Sequence, residues 1–179
     1  MSTPPPTPAT PVTALARRFR VEVNMGTAET PDWQVCPGVV GFGFTAEPNI
    51  EDATEYDSDG WTGNTKTAQE WEATVTFNRK VTADATAFSP VHEKIRKAWL
   101  GAYGTASEIH LRWYDRNGLP EAYEGHAIPA WEPQNDEATD LDQIEVTFTG
   151  NGPLLDIENP GTGGTTTFAA KSLTSKKAS

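Results

Sequence analysis

The chain has 179 residues, 36% of them hydrophobic, with Lys plus Arg at 14 against Asp plus Glu at 25 and a formal net charge of -11. That length predicts one domain with arms and excludes a large multidomain enzyme, and the acidity argues against high-affinity nucleic-acid binding over the whole surface. Cys36 is the single cysteine, which excludes an intrachain disulfide and a multi-thiolate metal site, and no apolar run of about 18 residues offers a membrane helix.

Residues 1–14 hold Pro4, Pro5, Pro6, Pro8 and Pro11 among Thr and Ser, a composition that predicts an extended N-terminal arm. Met1 to Pro11 has neither the basic start nor the apolar stretch of a secretion signal, so folding in the cytosol is expected. Phe19, Val21 and Val23 alternate with Arg18, Arg20 and Glu22, the period of a strand with one buried face. Val39 to Phe44 is an almost continuous apolar run between Pro37 and Pro48 and predicts a strand covered on both faces. A long acidic loop is expected from Ala46 to Lys66. Trp71, Ala73, Val75 and Phe77 then alternate with Glu70, Glu72, Thr74 and Thr76 as a third strand.

The period changes once. Val91, Ile95, Ala98, Trp99 and Ala102 recur at helical spacing behind Ser89 and Pro90, which predicts one amphipathic helix over 89–103. Strands resume with Ile109, Leu111 and Trp113. Asn117-Gly118 supplies turn chemistry, and the chain should return as a hairpin through Ala122 to Trp131. Ile144, Val146 and Phe148 form the inward side of a last strand. From Asn159 to Ser179 the chain is rich in Gly, Thr, Ser and Lys and reads as a C-terminal tail. The expected architecture is a mainly β body over 15–158, a mixed, largely antiparallel sandwich or barrel with one flanking helix and flexible arms.

Candidate chemistry fails on spacing. Glu55, Asp57, Asp59 and Gly60 occupy positions one, three, five and six of a calcium loop, but position twelve, which needs a bidentate Glu, is Lys66. Gly41, Gly43 and Ala46 have dinucleotide-fingerprint spacing without a following helix, since Pro48 and acids come next. His92, His110 and His126 lack metal-ligand spacing and read as polar surface residues. No Gly-x-Ser-x-Gly elbow is present, and Cys36 reads as a buried, inert thiol. Trp71, Trp99 and Trp113 are expected inside, with Trp33, Trp61 and Trp131 near loops. No catalytic residue, metal or cofactor is therefore expected.

Charge is sorted along the chain. Six acids and no base lie between Glu47 and Asp59, and ten acids and no Lys or Arg between Asn117 and Ala170, while bases gather at Arg17, Arg18 and Arg20, at Lys94, Arg96 and Lys97, and at Lys171, Lys176 and Lys177. Such sorting lets a chain present faces of opposite sign to its own copies.

The order of these pieces carries a resemblance: a proline-rich arm, Arg18-Phe19-Arg20-Val21-Glu22-Val23-Asn24, an acidic segment with Tyr56-Asp57-Ser58-Asp59-Gly60-Trp61, Trp71 to Lys80, one helix, and Trp113 to Gly125 around Asn117-Gly118. Over about residues 15–160 the chain resembles the tail tube (major tail) proteins of long-tailed bacteriophages, especially those of actinobacterial hosts. The resemblance implies a tail-tube β-sandwich, rings of six copies stacked into a hollow tube, and a lumen through which double-stranded DNA passes without specific binding. It also implies a virion location after assembly in the host cytoplasm, other tail proteins (terminator, tape measure, distal tail) as partners, and no membrane.

On that basis Glu51, Asp52, Glu55, Asp57, Asp59 and Trp61 are expected at an inter-ring or inter-subunit contact, opposite Arg17, Arg18 and Arg20 or the C-terminal tail. Glu121, Glu124, Asp140, Asp142 and Glu145 are expected to contribute to the lumen. Two other readings fit the same residues: a monomeric carbohydrate- or protein-binding β-sandwich, and the inner tube of a contractile injection particle.

Overall fold

The computed structural model describes residues 18–56, 59, 61–135, 137 and 139–162; the N-terminal arm, most of the C-terminal tail, Arg17 and Asp57 lie outside them. The elements in chain order are β1 (Phe19–Asn24), β2 (Trp33–Val35), β3 (Val39–Asp52), β4 (Asn64–Asn78), α1 (Pro90–Gly101), β5 (Ile109–Asp115), β6 (Ala122–Pro133), β7 (Gln143–Gly150) and β8 (Leu155–Asp156). They form one sheet in the order β2-β1-β5-β6-β7-β4-β3, with β8 beside β6. Every pairing between these strands is antiparallel, in line with the mainly β, largely antiparallel architecture with one flanking helix expected from sequence.

The sheet curls so that its two halves face each other. Phe42 and Phe44 on β3 lie against Phe19 on β1, at ring-centroid distances of 5.4 and 6.1 Å, and against Trp113 on β5, at 5.7 and 5.3 Å. The expected period-two faces supply this core: Val21 and Val23; Ala73, Val75 and Phe77; Ile109, Leu111 and Trp113; Ile144, Val146 and Phe148 are all buried. Helix α1 starts at Pro90 with Ser89 as N-cap and closes the core with Val91, Ile95 and Ala98. At roughly 25 cal/mol per Å² of apolar area removed from water, this shared core is the main force holding the roll shut.

Trp71 lies across two strands. Its ring covers Gly125 of β6 and Gly150 of β7, where an added Cβ would come within 2.6 and 2.4 Å of ring atoms, and its Nε1 donates to the Gly152 carbonyl at 3.0 Å. Those glycines are required by close approach.

Several expectations change. The run Val39 to Phe44 is not covered on both faces: β3 is an edge strand, with Val40 57% exposed. Ala46 to Lys66 is not a loop but mostly a β-hairpin arm, because β3 and β4 stay paired out to Asp52↔Asn64 while β4 meets β7 only from Glu72 onward. Trp99 is 43% exposed rather than inside, and Trp131 is 8% exposed rather than at a surface loop. The β5–β6 turn runs over several residues and needs positive φ only at Gly118.

Of the histidines expected at the surface, His126 is exposed and His92 is not. His92 is fully buried, stacked on Phe77 at 4.1 Å, with Nε2 3.0 Å from the Pro37 carbonyl and Nδ1 accepting from the Lys80 backbone at 3.3 Å. Cys36 is buried, and burial pushes its thiol up to about 12.

Candidate functional site

Three surfaces follow from this roll. The first is the outward face of β3, β4, β7 and β6. Side chains opposite the core on these strands include Thr45, Glu47, Glu70, Glu72, Thr74 and Thr76, then Glu145, Thr147 and Thr149, then Glu132. Across 41–47, 70–78, 128–132 and 143–149 there is no Lys or Arg. Two pairs of glutamates sit directly opposite each other, Glu47↔Glu70 and Glu132↔Glu145. Like charges in cross-strand register destabilise a sheet by a few tenths of a kcal/mol up to about 1 kcal/mol. The face is thus built for its charge at some expense of local stability.

The second surface, the outward face of β1, β5 and the start of β6, is internally satisfied. Glu22 accepts from Arg112 at 2.9 and 2.7 Å and from the Tyr114 hydroxyl at 2.7 Å, and the Arg112 guanidinium lies 4.3 Å over the Trp33 ring. Asn24 Nδ2 donates to His110 Nδ1 at 3.1 Å, which places the His110 proton on Nε2, 2.8 Å from Glu124. His110 stacks on His126 at 4.2 Å, and burial, then the neighbouring His110, lower the His126 pKa. Glu22, Arg112 and Glu124 each have a partner within the chain, so this part of the face is a structural network, with exposed Arg20 at its edge.

The third surface is the arm. Between Thr45 and Glu70 none of the described residues is buried, and Ile50 (55%), Tyr56 and Trp61 (81%) show apolar area to solvent. Seven residues of β3, from Ala46 to Asp52, project roughly 23 Å at about 3.3 Å per residue. Asp52 caps the turn by accepting from Thr54 Oγ1 at 2.5 Å and Thr54 N at 2.8 Å; these bonds, the hydroxyl first, hold its carboxylate below the usual range.

Of the residues expected at a contact, Glu51 and Asp52 lie on the arm and Glu55, Asp59 and Trp61 at its tip; Asp57 and Arg17 fall outside the described residues. Arg18 is engaged within the chain, with Asp115 at 2.9 Å and with Glu121, whereas Arg20 is exposed and makes no ion pair among the described residues. The residues expected in the lumen are not brought together. Glu121 meets Arg18, Glu124 is buried against His110, Asp140 and Asp142 sit at the β6–β7 connection with Asp142 3.7 Å from Arg79, and Glu145 alone lies on the acidic face. Sequence reasoning passed over Glu47, Glu70, Glu72 and Glu132 as site residues, although the alternation of Glu70 and Glu72 with Trp71 and Ala73 already placed those two on the uncovered side.

No protein-family model matches the chain, and no curated protein matches it. Solved structures do. The chain is similar to the SPP1 tail tube protein, with a TM-score of 0.61 and 13% identity over 93% of this chain and 96% of that one. It is similar to a chain of the native gene transfer agent virion, with a TM-score of 0.56 and 11% identity over 79% of this chain and 97% of that one. A chain of the anti-feeding prophage baseplate, a 6-fold symmetrised structure, aligns with a TM-score of 0.54 and 13% identity over 82% of this chain and 97% of that one. The rolled antiparallel sheet with one helix is therefore the fold seen in the SPP1 tail tube and in chains of these other particles.

Proposed function

We propose that this chain is the tube subunit of a phage-type tail: a structural protein that assembles into rings, six copies in each, stacked as a hollow conduit for genome ejection. The observation that carries the reading is the base-free face of Glu and Thr on β3, β4, β7 and β6, on the fold seen in the SPP1 tail tube. Turned inward, that face presents fixed negative charge to a passing polyanion and offers no cation for a phosphate to hold, so DNA slides. The effect reaches about 8 Å at physiological salt, enough to keep a duplex off the wall.

In this reading the chain's main partner is itself, its place is the virion tail, and terminator, tape-measure and distal-tail proteins meet the ends of the stack. A phage of an actinobacterial host is the source the sequence motifs favour. The chain needs no catalytic residue, metal or cofactor for this role. The arm acids Glu51, Asp52, Glu55, Asp57 and Asp59 and Trp61 belong to contacts between copies. Arg20, not the internally paired Arg18, is the fitting opposite charge on the first strand. Rings form where a patch-to-patch rotation closes, and stacks where a second contact repeats without closing.

The inner tube of a contractile injection particle is a second reading, favoured by the likeness to the anti-feeding prophage chain and to a chain from an extracellular contractile injection system, the latter at a TM-score of 0.52 and 14% identity. Negative-stain electron microscopy of the concentrated protein, paired with sedimentation velocity, tests the assembly both readings share. Rings or hollow rods are expected; a single slow monomer boundary at every concentration contradicts it.

A further inference from the structure

Among the described residues the roll does not close: β3 has no partner on its second edge, β2 covers only Glu22–Asn24 of β1, and between the two edges runs a groove of about 620 Å³. Phe19 and Phe42 line it, with Val35 (45% exposed) and Val40 (57% exposed) on its walls. Arg20 and Arg116 also line it, and neither makes an ion pair among the described residues. The remaining arginines among the described residues, Arg18, Arg79, Arg96 and Arg112, each have a carboxylate partner. A groove that combines exposed apolar side chains with two guanidinium groups lacking a carboxylate partner among the described residues, on a chain of net charge -11, is matched to an acidic segment with apolar side chains.

Three segments of this chain are candidates to enter the groove of another copy: residues 1–17, residues 163–179 and the β3–β4 arm. Residues 1–17 contain Arg17 and no acid, and residues 163–179 contain Lys171, Lys176 and Lys177 and no acid, so both carry the wrong sign. The arm carries Glu47, Glu51, Asp52, Glu55 and Asp59 beside exposed Ile50, Tyr56 and Trp61. We propose that the groove between β1 and β3 is the receptor for the β3–β4 arm of a second copy, with Arg20 and Arg116 meeting the arm acids and Val35 and Val40 covered by its apolar side chains. This contact rests on the tube reading and names the surface that receives the arm. It also covers the bare strand edges, which otherwise invite unspecific pairing.

The test uses the full-length chain in two ways. Arg20→Glu with Arg116→Glu should raise the concentration needed for assembly at least about tenfold, since opposed like charges at an interface are strongly unfavourable. Circular dichroism should be unchanged, because both side chains are exposed. Adding Glu51→Arg and Glu55→Arg, which leave the Asp52 turn cap in place, should recover assembly. Independently, a Val40→Cys chain mixed with a differently tagged Trp61→Cys chain should form a heterodisulfide on assembly, with buried Cys36 silent in both. If the wild-type chain assembles while the double variant assembles at the same concentration, or no heterodisulfide forms, the groove is not the receptor. A heterodisulfide from Val40→Cys to Val12→Cys in its place would give the groove to the N-terminal segment and overturn the proposal. If the wild-type chain builds no ring or tube at all, the tube reading itself fails and this contact with it.

Discussion

Trp71 shows how single residues hold the roll. Its ring lies over Gly125 and Gly150 and is tied to Gly152, so a methyl group on either glycine must push the ring off the strands and strain that hydrogen bond. Gly125→Ala or Gly150→Ala should each destabilise the fold by about 1–3 kcal/mol, the usual cost of overpacking, read as a lower melting temperature. Asp115 is fully buried and accepts from Arg18 at 2.9 Å and the Asn117 backbone at 2.7 Å. Arg18→Met leaves that carboxylate short of its charge partner and should lower the urea unfolding midpoint. His92 adds a pH dependence: burial, its largest cause, lowers its pKa from 6.5, so the unfolded chain takes up the proton first as pH falls. Its contribution is present above about pH 6.5 and is lost below it. His126 shifts in the same direction. The urea midpoint of the wild-type chain should fall between about pH 7.5 and 5.5, and His92→Gln should flatten part of that slope.

Elements differ in how much the shared core depends on them. The arm contributes no buried residue between Thr45 and Glu70, so replacing residues 48–69 with Asn-Gly should leave the melting temperature of the body within a few degrees while assembly is lost. An arm deletion that still yields wild-type tubes would remove the arm from the contact. The same contrast explains what the sequence made legible. Strands that bury one face write that burial as period two, which is why Trp71 to Phe77, Ile109 to Trp113 and Ile144 to Phe148 could be read directly, as could α1 from Val91, Ile95 and Ala98. The arm strands are exposed on both faces, carry no such alternation, and read as a loop. β2 and β8, at three and two residues, are too short to show a period. Val39 to Phe44 looked doubly covered because its outward positions are Gly41 and Gly43 rather than charged residues. The acidic face was legible only in part, since Glu132 and Glu145 meet through strand register set by β6 and β7. Arg20 and Arg116 are neighbours only through the pairing of β1 with β5, and they meet Val40 and Phe42 of β3 only through the curl of the sheet.

At the scale of the whole molecule, the roll separates three jobs: a shared aromatic core, a base-free acidic face, and an arm with a groove of opposite charge. If the face lines a channel, its charge affects DNA passage and not assembly. Glu72→Lys with Glu145→Lys should therefore leave tube formation intact yet make the tubes retain duplex DNA at low salt and release it as salt rises, as followed by co-sedimentation; unaltered DNA behaviour would argue that the face points elsewhere. The most direct measurement is a cryo-electron-microscopy reconstruction of the assembled wild-type protein. The account expects hollow, six-fold stacked rings in which Glu72, Glu132 and Glu145 face the channel and each arm lies on another copy. Solitary particles at high concentration, or tubes with those three carboxylates on the outer wall, would contradict it.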